Sequence, residues 1–216
     1  MAHVARRLGR LSPASSVLFV CDIQEVFRKS IFQMPAVIHS SQTLLAAANE
    51  LHVPVVVTTQ NASRLGDTVP ELVARFEEIS KSHPKNGVRV FDKTLFSMMT
   101  PEVEAHLQSL DNGQRKSVLL CGIEGHVCVL QTCLDLLDKG YDVHVIADAV
   151  SSSSAFNRSI ALERMRQSGA FITSVESAIF QLTGDAAQPH FRAISKLIKA
   201  HLQVPNAFDG TQTPRL

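Results

Sequence analysis

Four short segments of the chain are continuously apolar and rich in β-branched residues: Ser16 to Cys21, Pro54 to Thr58, Ser117 to Cys121 and Val143 to Ala147. Such runs, without polar alternation, fit strands buried on both faces. Val88 to Phe91 and Phe171 to Thr173 repeat the pattern more weakly. Between these segments the apolar positions recur at steps of three and four, the period of a helix with one buried face. Ile38, Leu45, Ala48 and Leu51 mark the first such stretch, and Pro101 opens a second that runs through Leu110 and stops at Asp111-Asn112-Gly113. Val127, Leu130, Leu134 and Leu137 mark a third, with Gly140 where a left-handed C-terminal cap favours glycine. A fourth begins in Ser151 to Ser154, whose hydroxyls can cap free amides, carries Ile160, Leu162 and Met165, and halts before Gly169. Phe191, Ile194, Ile198 and Leu202 mark the last.

Strand and helix therefore alternate about six times. Buried parallel strands joined by right-handed helical crossovers satisfy that alternation. The expected fold is a three-layer α/β/α sandwich, Rossmann-like in layout, around a mostly parallel six-stranded sheet. One domain is expected over residues 13–202, preceded by a tail at 1–12. A flexible tail is expected over 203–216, where Pro205, Gly210 and Pro214 interrupt a stretch with no periodicity.

Composition narrows the function classes. The 216 residues are 45% hydrophobic and 19% charged, with 21 Lys+Arg against 20 Asp+Glu, which is the make-up of a folded globular chain. No run approaches the roughly 18 apolar residues that span a bilayer, and no basic tract offers a footprint for phosphate backbones. Neither a membrane nor a nucleic acid is expected as a partner. Cys21, Cys121, Cys128 and Cys133 form no CxxC pair and lie in or beside apolar segments, which favours a reducing compartment over a disulfide framework. Arg6, Arg7 and Arg10 without an acid have the flavour of a mitochondrial transit peptide, but the segment is short, and a cytoplasmic protein is the expectation.

In an open parallel sheet the ligand crevice lies beyond the carboxyl ends of the strands, so the polar residues that end the apolar runs are the ones to inspect. Asp22 follows the Ser16–Cys21 run directly, Lys93 comes two residues after the Val88–Phe91 run, and Cys128 lies seven residues after the Ser117–Cys121 run near the start of a helix. Each alone has a commoner explanation: a turn carboxylate, a solvated lysine, a small buried hydrophobe. The fold would bring all three to one edge.

At these positions the chain resembles the isochorismatase-like cysteine hydrolases. The resemblance is carried by Asp22-x-Gln24-x-x-Phe27, by Lys93 with Phe96 and Ser97, and by Gly122-Ile-Glu-Gly-His-Val-Cys128. Leu136 to His144 leading to Asp148-Ala149, Arg164 to Phe171, and Thr173 to Ser177 are similar to the eukaryotic isochorismatase domain-containing subgroup in particular. The resemblance runs from about residue 13 to about residue 202.

It implies a catalytic triad of Asp22, Lys93 and Cys128, with Cys128 as nucleophile and Asp22 as the carboxylate that takes and returns its proton. A cationic lysine and a helix N-terminus both favour a thiolate. It also implies a cis peptide between Ile123 and Glu124, with the backbone N–H groups of Glu124 and Cys128 forming an oxyanion hole. Gln24, Phe27, Gln60, Phe96 and His126 are expected to line a small substrate pocket. Where metal-binding members of the family carry an Asp-x-His after the second strand, this chain has Gln60-Asn61-Ala62, so neither a metal nor another cofactor is expected. A homo-oligomer is implied as well. The function expected is metal-independent hydrolysis of a small amide or related C–N bond through a Cys128 thioester. The alternative is a non-catalytic interaction protein that keeps the fold and the pocket.

Overall fold

The computed structural model describes residues 8–83 and 87–209. The apolar runs become six strands: β1 (Ser16–Cys21), β2 (Val55–Gln60), β3 (Val88–Lys93), β4 (Ser117–Gly122), β5 (Asp142–Val150) and β6 (Phe171–Thr173). They form one sheet in the order β3-β2-β1-β4-β5-β6, with every pairing parallel. The chain builds outward from β1 to β3 on one side, then returns to place β4 on the other side of β1. The connections therefore diverge between β1 and β4, which opens a crevice at their carboxyl ends.

Strict alternation along the central strands supplies two cores. Leu18 and Val20 of β1, Val55 and Val57 of β2, and Leu119 and Cys121 of β4 pack under α1 (Met34–Glu50), α7 (Val175–Thr183) and α8 (Phe191–His201). Val17, Phe19 and Cys21 of β1, with Val118 and Leu120 of β4, pack on the other face under α4 (Pro101–Ser109), α5 (Leu130–Asp138) and α6 (Ala155–Gln167). The three-layer sandwich expected from the alternation of elements is the observed one. Among the described residues no helix is long and apolar enough to cross a membrane.

One cap follows the serines read from the sequence and one was not foreseen there. Thr100 Oγ1 accepts the Val103 amide at the start of α4, and Ser154 Oγ accepts the Asn157 amide, 3.1 Å away, at the start of α6. Besides a single short turn after β2, two helices carry no counterpart in the sequence reading: α3 (Pro70–Ser82) and α7. Both had a usable signal, Leu72, Phe76 and Ile79 in one and Val175, Ala178, Ile179 and Leu182 in the other, spaced as a helix requires. The short α2 (Ala62–Leu65) follows β2. Beyond α8, residues 203–209 form no helix or strand, but Phe208 is buried against the core, meets Phe32, and lies under the Arg158 guanidinium 3.9 Å from its ring centroid. The described part of the expected flexible tail is thus anchored. Residues 1–7 and 210–216, the remainder of the two expected tails, lie outside the described residues.

Candidate active site

Asp22 is the first residue beyond β1, and its backbone turns sharply there, with φ at +50°. Its carboxylate is buried and doubly held: Thr58 Oγ1 donates to Oδ1 at 2.7 Å and Lys93 Nζ donates to Oδ2 at 2.7 Å. Lys93 is the last residue of β3, which continues two residues past the apolar run that predicted it. Its ammonium also donates to Gln60 Oε1 at 2.7 Å, Phe96 O at 3.0 Å and Leu95 O at 3.1 Å. Burial pulls the Lys93 pKa down. The electrostatic influence of the neighbouring Cys21, Asp22 and Cys128 side chains, with the Asp22 hydrogen bond, outweighs that pull and raises it above the ordinary lysine value. The ammonium is therefore a fixed cation at neutral pH.

Cys128 enters the same crevice from the β4 side. Gly122 ends β4 with φ at +118°, and a Cβ there would lie 2.1 Å from the Cys21 carbonyl oxygen, so only glycine lets the two strand ends approach this closely. The Ile123–Glu124 peptide that follows is cis. A wide π-helical turn, Gly125–Val129, then leads directly into α5 and carries Cys128 in its first turn. Thr132 fixes that turn, donating from Oγ1 to Cys128 O at 2.6 Å and accepting the Met98 amide at 2.8 Å. The Gly125 amide donates to Ser151 O, and those of Val127 and Val129 to Glu124 O. Among the described residues, the Glu124 and Cys128 amides have no acceptor outside the turn itself. Cys128 is 7% exposed, whereas Cys21, Cys121 and Cys133 are fully enclosed.

The other thiols are held as neutral groups. Burial pushes Cys133 up to about 12, and burial, against a hydrogen bond from Ser41, does the same for Cys121. Cys21 is raised well above the usual thiol value, by burial first, then by contact with the Cys128 thiol and by the negative charges of Asp22 and Cys128, against the pull of Lys93.

The residues expected to line a pocket divide into two groups. Gln24 is fully buried, donating from Nε2 to Gln60 O and Gly66 O and accepting the Gln60 amide, so it braces the end of β2 instead of facing a ligand. Gln60 spends its own amide on Lys93 and on Thr94 O. Phe27 packs half-buried against the core, whereas Phe96 is half-exposed and His126 keeps part of its ring accessible. The sequence reading did not single out Thr58, Thr132 or Cys21. Nor did it see that the serines before α6 serve the site: Ser151 O holds Gly125, and the Ser153 amide donates to Glu124 Oε2 at 2.9 Å. No group of three or more His, Cys, Asp or Glu residues is arranged to hold a metal ion among the described residues.

A sequence model described as the Isochorismatase domain matches residues 16–177, which takes in every residue of this crevice. The chain belongs to the isochorismatase family. It stands with the eukaryotic branch of that family. The secreted isochorismatase effector Isc1 of Phytophthora sojae (strain P6497) is 65% identical over 209 residues, covering 97% of this chain and 96% of the effector. Isochorismatase domain-containing protein 2 of Homo sapiens is 48% identical over 199 residues, covering 92% and 90%. Among solved structures, the MAR1 ribonuclease of Caenorhabditis elegans shares 43% identity with a TM-score of 0.79, covering 88% of this chain and 92% of that one. Family membership makes this chain a protein of hydrolase fold, with its buried acid, lysine and thiol at the divergence of β1 and β4.

Proposed function

We propose that this isochorismatase-family chain is a metal-independent cysteine hydrolase that opens a small amide or related C–N bond. The observation that carries the reading is the buried Asp22–Lys93 ion pair, 2.7 Å long, at the same crevice as a helix-borne thiol that is the most accessible of four. Cys128 gives its proton to Asp22 and its sulfur attacks the carbonyl carbon. The Glu124 and Cys128 amides receive the oxyanion. Collapse breaks the C–N bond, Asp22 protonates the departing amine, and a thioester remains on Cys128. Water then attacks the thioester, Asp22 takes the water's proton, and the acid product leaves with the thiol restored. Lys93 keeps its four oxygen partners throughout and fixes the orientation of Asp22. The scarcely exposed nucleophile favours a small substrate, and the homo-oligomer implied by the family resemblance belongs to the same reading.

The name of the worm relative raises RNA as a competing substrate. A polynucleotide needs cations directed at its phosphates and an acid and base disposed about the scissile bond. Lys93 has its ammonium spent on Asp22, Gln60 and two carbonyls instead.

The test is a screen of small amides with product detection by mass, joined to rapid acid quenching of the enzyme. A turned-over amide should leave an acyl mass on the peptide containing Cys128, and Cys128→Ser should lose that mass and the turnover together. RNA cleavage that survives in Cys128→Ser, with no amide consumed by the wild type, would overturn the proposal.

A further inference from the structure

A cavity of ≈ 490 Å³ opens between the ends of β5 and β6 and the first turns of α6, and none of Asp22, Lys93 and Cys128 lines it. Two charges of opposite sign lie in its wall. Arg158, on α6, is only 6% exposed; its Nε donates to Val150 O at 2.9 Å, its Nη2 donates to Ala147 O, and its guanidinium lies over the Phe208 ring. Among the described residues nothing accepts the Nη1 hydrogens. Asp148 follows Ala147 directly, so the same stretch of β5 that receives Arg158 also carries the carboxylate. Its Oδ1 accepts the Val175 amide at 2.9 Å, yet among the described residues Asp148 and Arg158 form no ion pair with each other.

A buried guanidinium satisfied only by neutral carbonyl oxygens is an under-compensated cation, because buried charges are normally paired. Burial pulls the Arg158 pKa down to about 10, against the charge of Asp148, which leaves the group protonated at neutral pH. The other side of the cavity is acidic. Asp148 also lines an adjoining cavity with Glu176 and Asp209. Burial raises the Asp148 pKa, and the Asp209 charge adds to that, against the Val175 amide and Arg158. Between the two charges the wall is apolar, formed by Phe156, Leu162, Ile172 and Phe208. Arg166 also lines the cavity, but its Nη1 is already paired with Glu163 at 3.2 Å.

We propose that this cavity binds a free α-amino acid with an apolar side chain, its carboxylate on Arg158 and its ammonium on Asp148. A zwitterion supplies a counter-charge to both groups at once and brings no net charge into the wall. A plain carboxylate would satisfy Arg158 but meet Asp148 as a like charge, and a plain amine would do the reverse. Arg158 has a free Nη1 to offer a carboxylate oxygen, and a charge-assisted hydrogen bond of that kind is among the stronger ones available. The apolar wall receives the side chain, which is how a small-molecule site combines a few placed polar groups with a hydrophobic lining. The site is separate from the proposed hydrolytic crevice and does not depend on that reading.

The experiment is calorimetric titration of the reduced full-length protein with L-phenylalanine, with 3-phenylpropanoate, which lacks the ammonium, and with 2-phenylethylamine, which lacks the carboxylate. Phenylalanine should bind, and each analogue should bind at least about tenfold more weakly, since it leaves one charge in the wall without a partner. Asp148→Asn keeps an acceptor for the Val175 amide and should erase the preference for phenylalanine over phenylpropanoate. Phe156 is 71% exposed, so Phe156→Ala leaves the fold intact and should weaken phenylalanine by about three- to tenfold through lost apolar contact. Saturating phenylalanine should leave Cys128 open to iodoacetamide. Absence of binding at millimolar phenylalanine, equal binding of all three probes by the wild type, or affinities untouched by both substitutions would overturn the proposal. Protection of Cys128 from alkylation would place the ligand in the catalytic crevice and overturn it as well, without touching the hydrolase reading.

Discussion

Replacing Lys93 by Met is expected to cost about 3–5 kcal/mol of stability and to abolish hydrolysis, because it leaves a carboxylate buried with its cation removed. The two side chains are 0% and 2% exposed, so solvent does not screen the loss. Methionine keeps most of the stem volume, but Asp22 Oδ2, Gln60 Oε1 and the Leu95 and Phe96 carbonyls all lose their donor. The double variant Asp22→Asn/Lys93→Met should recover part of that stability, since no charge is then left buried although Gln60 Oε1 and the Leu95 and Phe96 carbonyls still lack their donor, while remaining inactive for want of a proton acceptor. Urea denaturation of the two single variants and the double variant measures the coupling. A single Lys93→Met variant that loses less than about 1 kcal/mol would instead be the behaviour of an exposed ion pair.

Gly122→Ala should be comparably damaging, by about 4 kcal/mol, although it adds a single methyl group. That methyl would lie 2.1 Å from Cys21 O and 2.7 Å from Cys21 N, both backbone atoms of the adjacent strand. The neighbour cannot withdraw easily, because the Ile123 amide donates to the same Cys21 oxygen at 2.9 Å and ties β1 to the nucleophile turn. The φ of +118° adds conformational cost for any residue with a Cβ. Gly140→Ala is the control. Its φ of +81° is also unfavourable, but nothing lies within 4 Å of its Cβ position, so only about 1 kcal/mol is expected. Thermal or urea denaturation that ranks the two variants equally would show that strand approach at Gly122 is not what demands the glycine.

The central strands were legible because β1, β2 and β4 are buried on both faces and leave continuous apolar runs. The edge strand β3 was legible only in part: its half-exposed pattern admits Arg89 and Asp92, and so its end at Lys93 was hidden. β5 likewise continues past Ala147 through Asp148, a polar residue whose Oδ1 accepts the Val175 amide and serves the start of α7. Asp22, Lys93 and Cys128 could be singled out because each follows a strand and together they fit a family pattern. Their supports are through-space relations that no local pattern carries: Thr58 on Asp22, Thr132 on the Cys128 turn, Ser151 and Ser153 on the Glu124–Gly125 segment. Gln24 shows the converse. Its place in the motif suggested the pocket, and the fold uses it to brace the loop after β2. Burial of Phe208, with Arg158 above it and Phe32 beside it, was not legible because a single aromatic residue in a segment without periodicity leaves no pattern.

The central claim is that Asp22 and Lys93 are assembled around a reactive Cys128, and its most direct measurement is the pH dependence of Cys128 alkylation, resolved by peptide mapping, in wild type, Lys93→Met and Asp22→Asn. Removing the cation withdraws support from the thiolate, so the Lys93→Met profile should move to higher pH, by about 1.4 kcal/mol of lost stabilisation for each pH unit. Removing the neighbouring anion should move the Asp22→Asn profile to lower pH. Cys21, Cys121 and Cys133 should stay unlabelled over the same range. Superimposable Cys128 profiles in all three folded proteins would contradict the assembly of Asp22, Lys93 and Cys128 into one electrostatic unit.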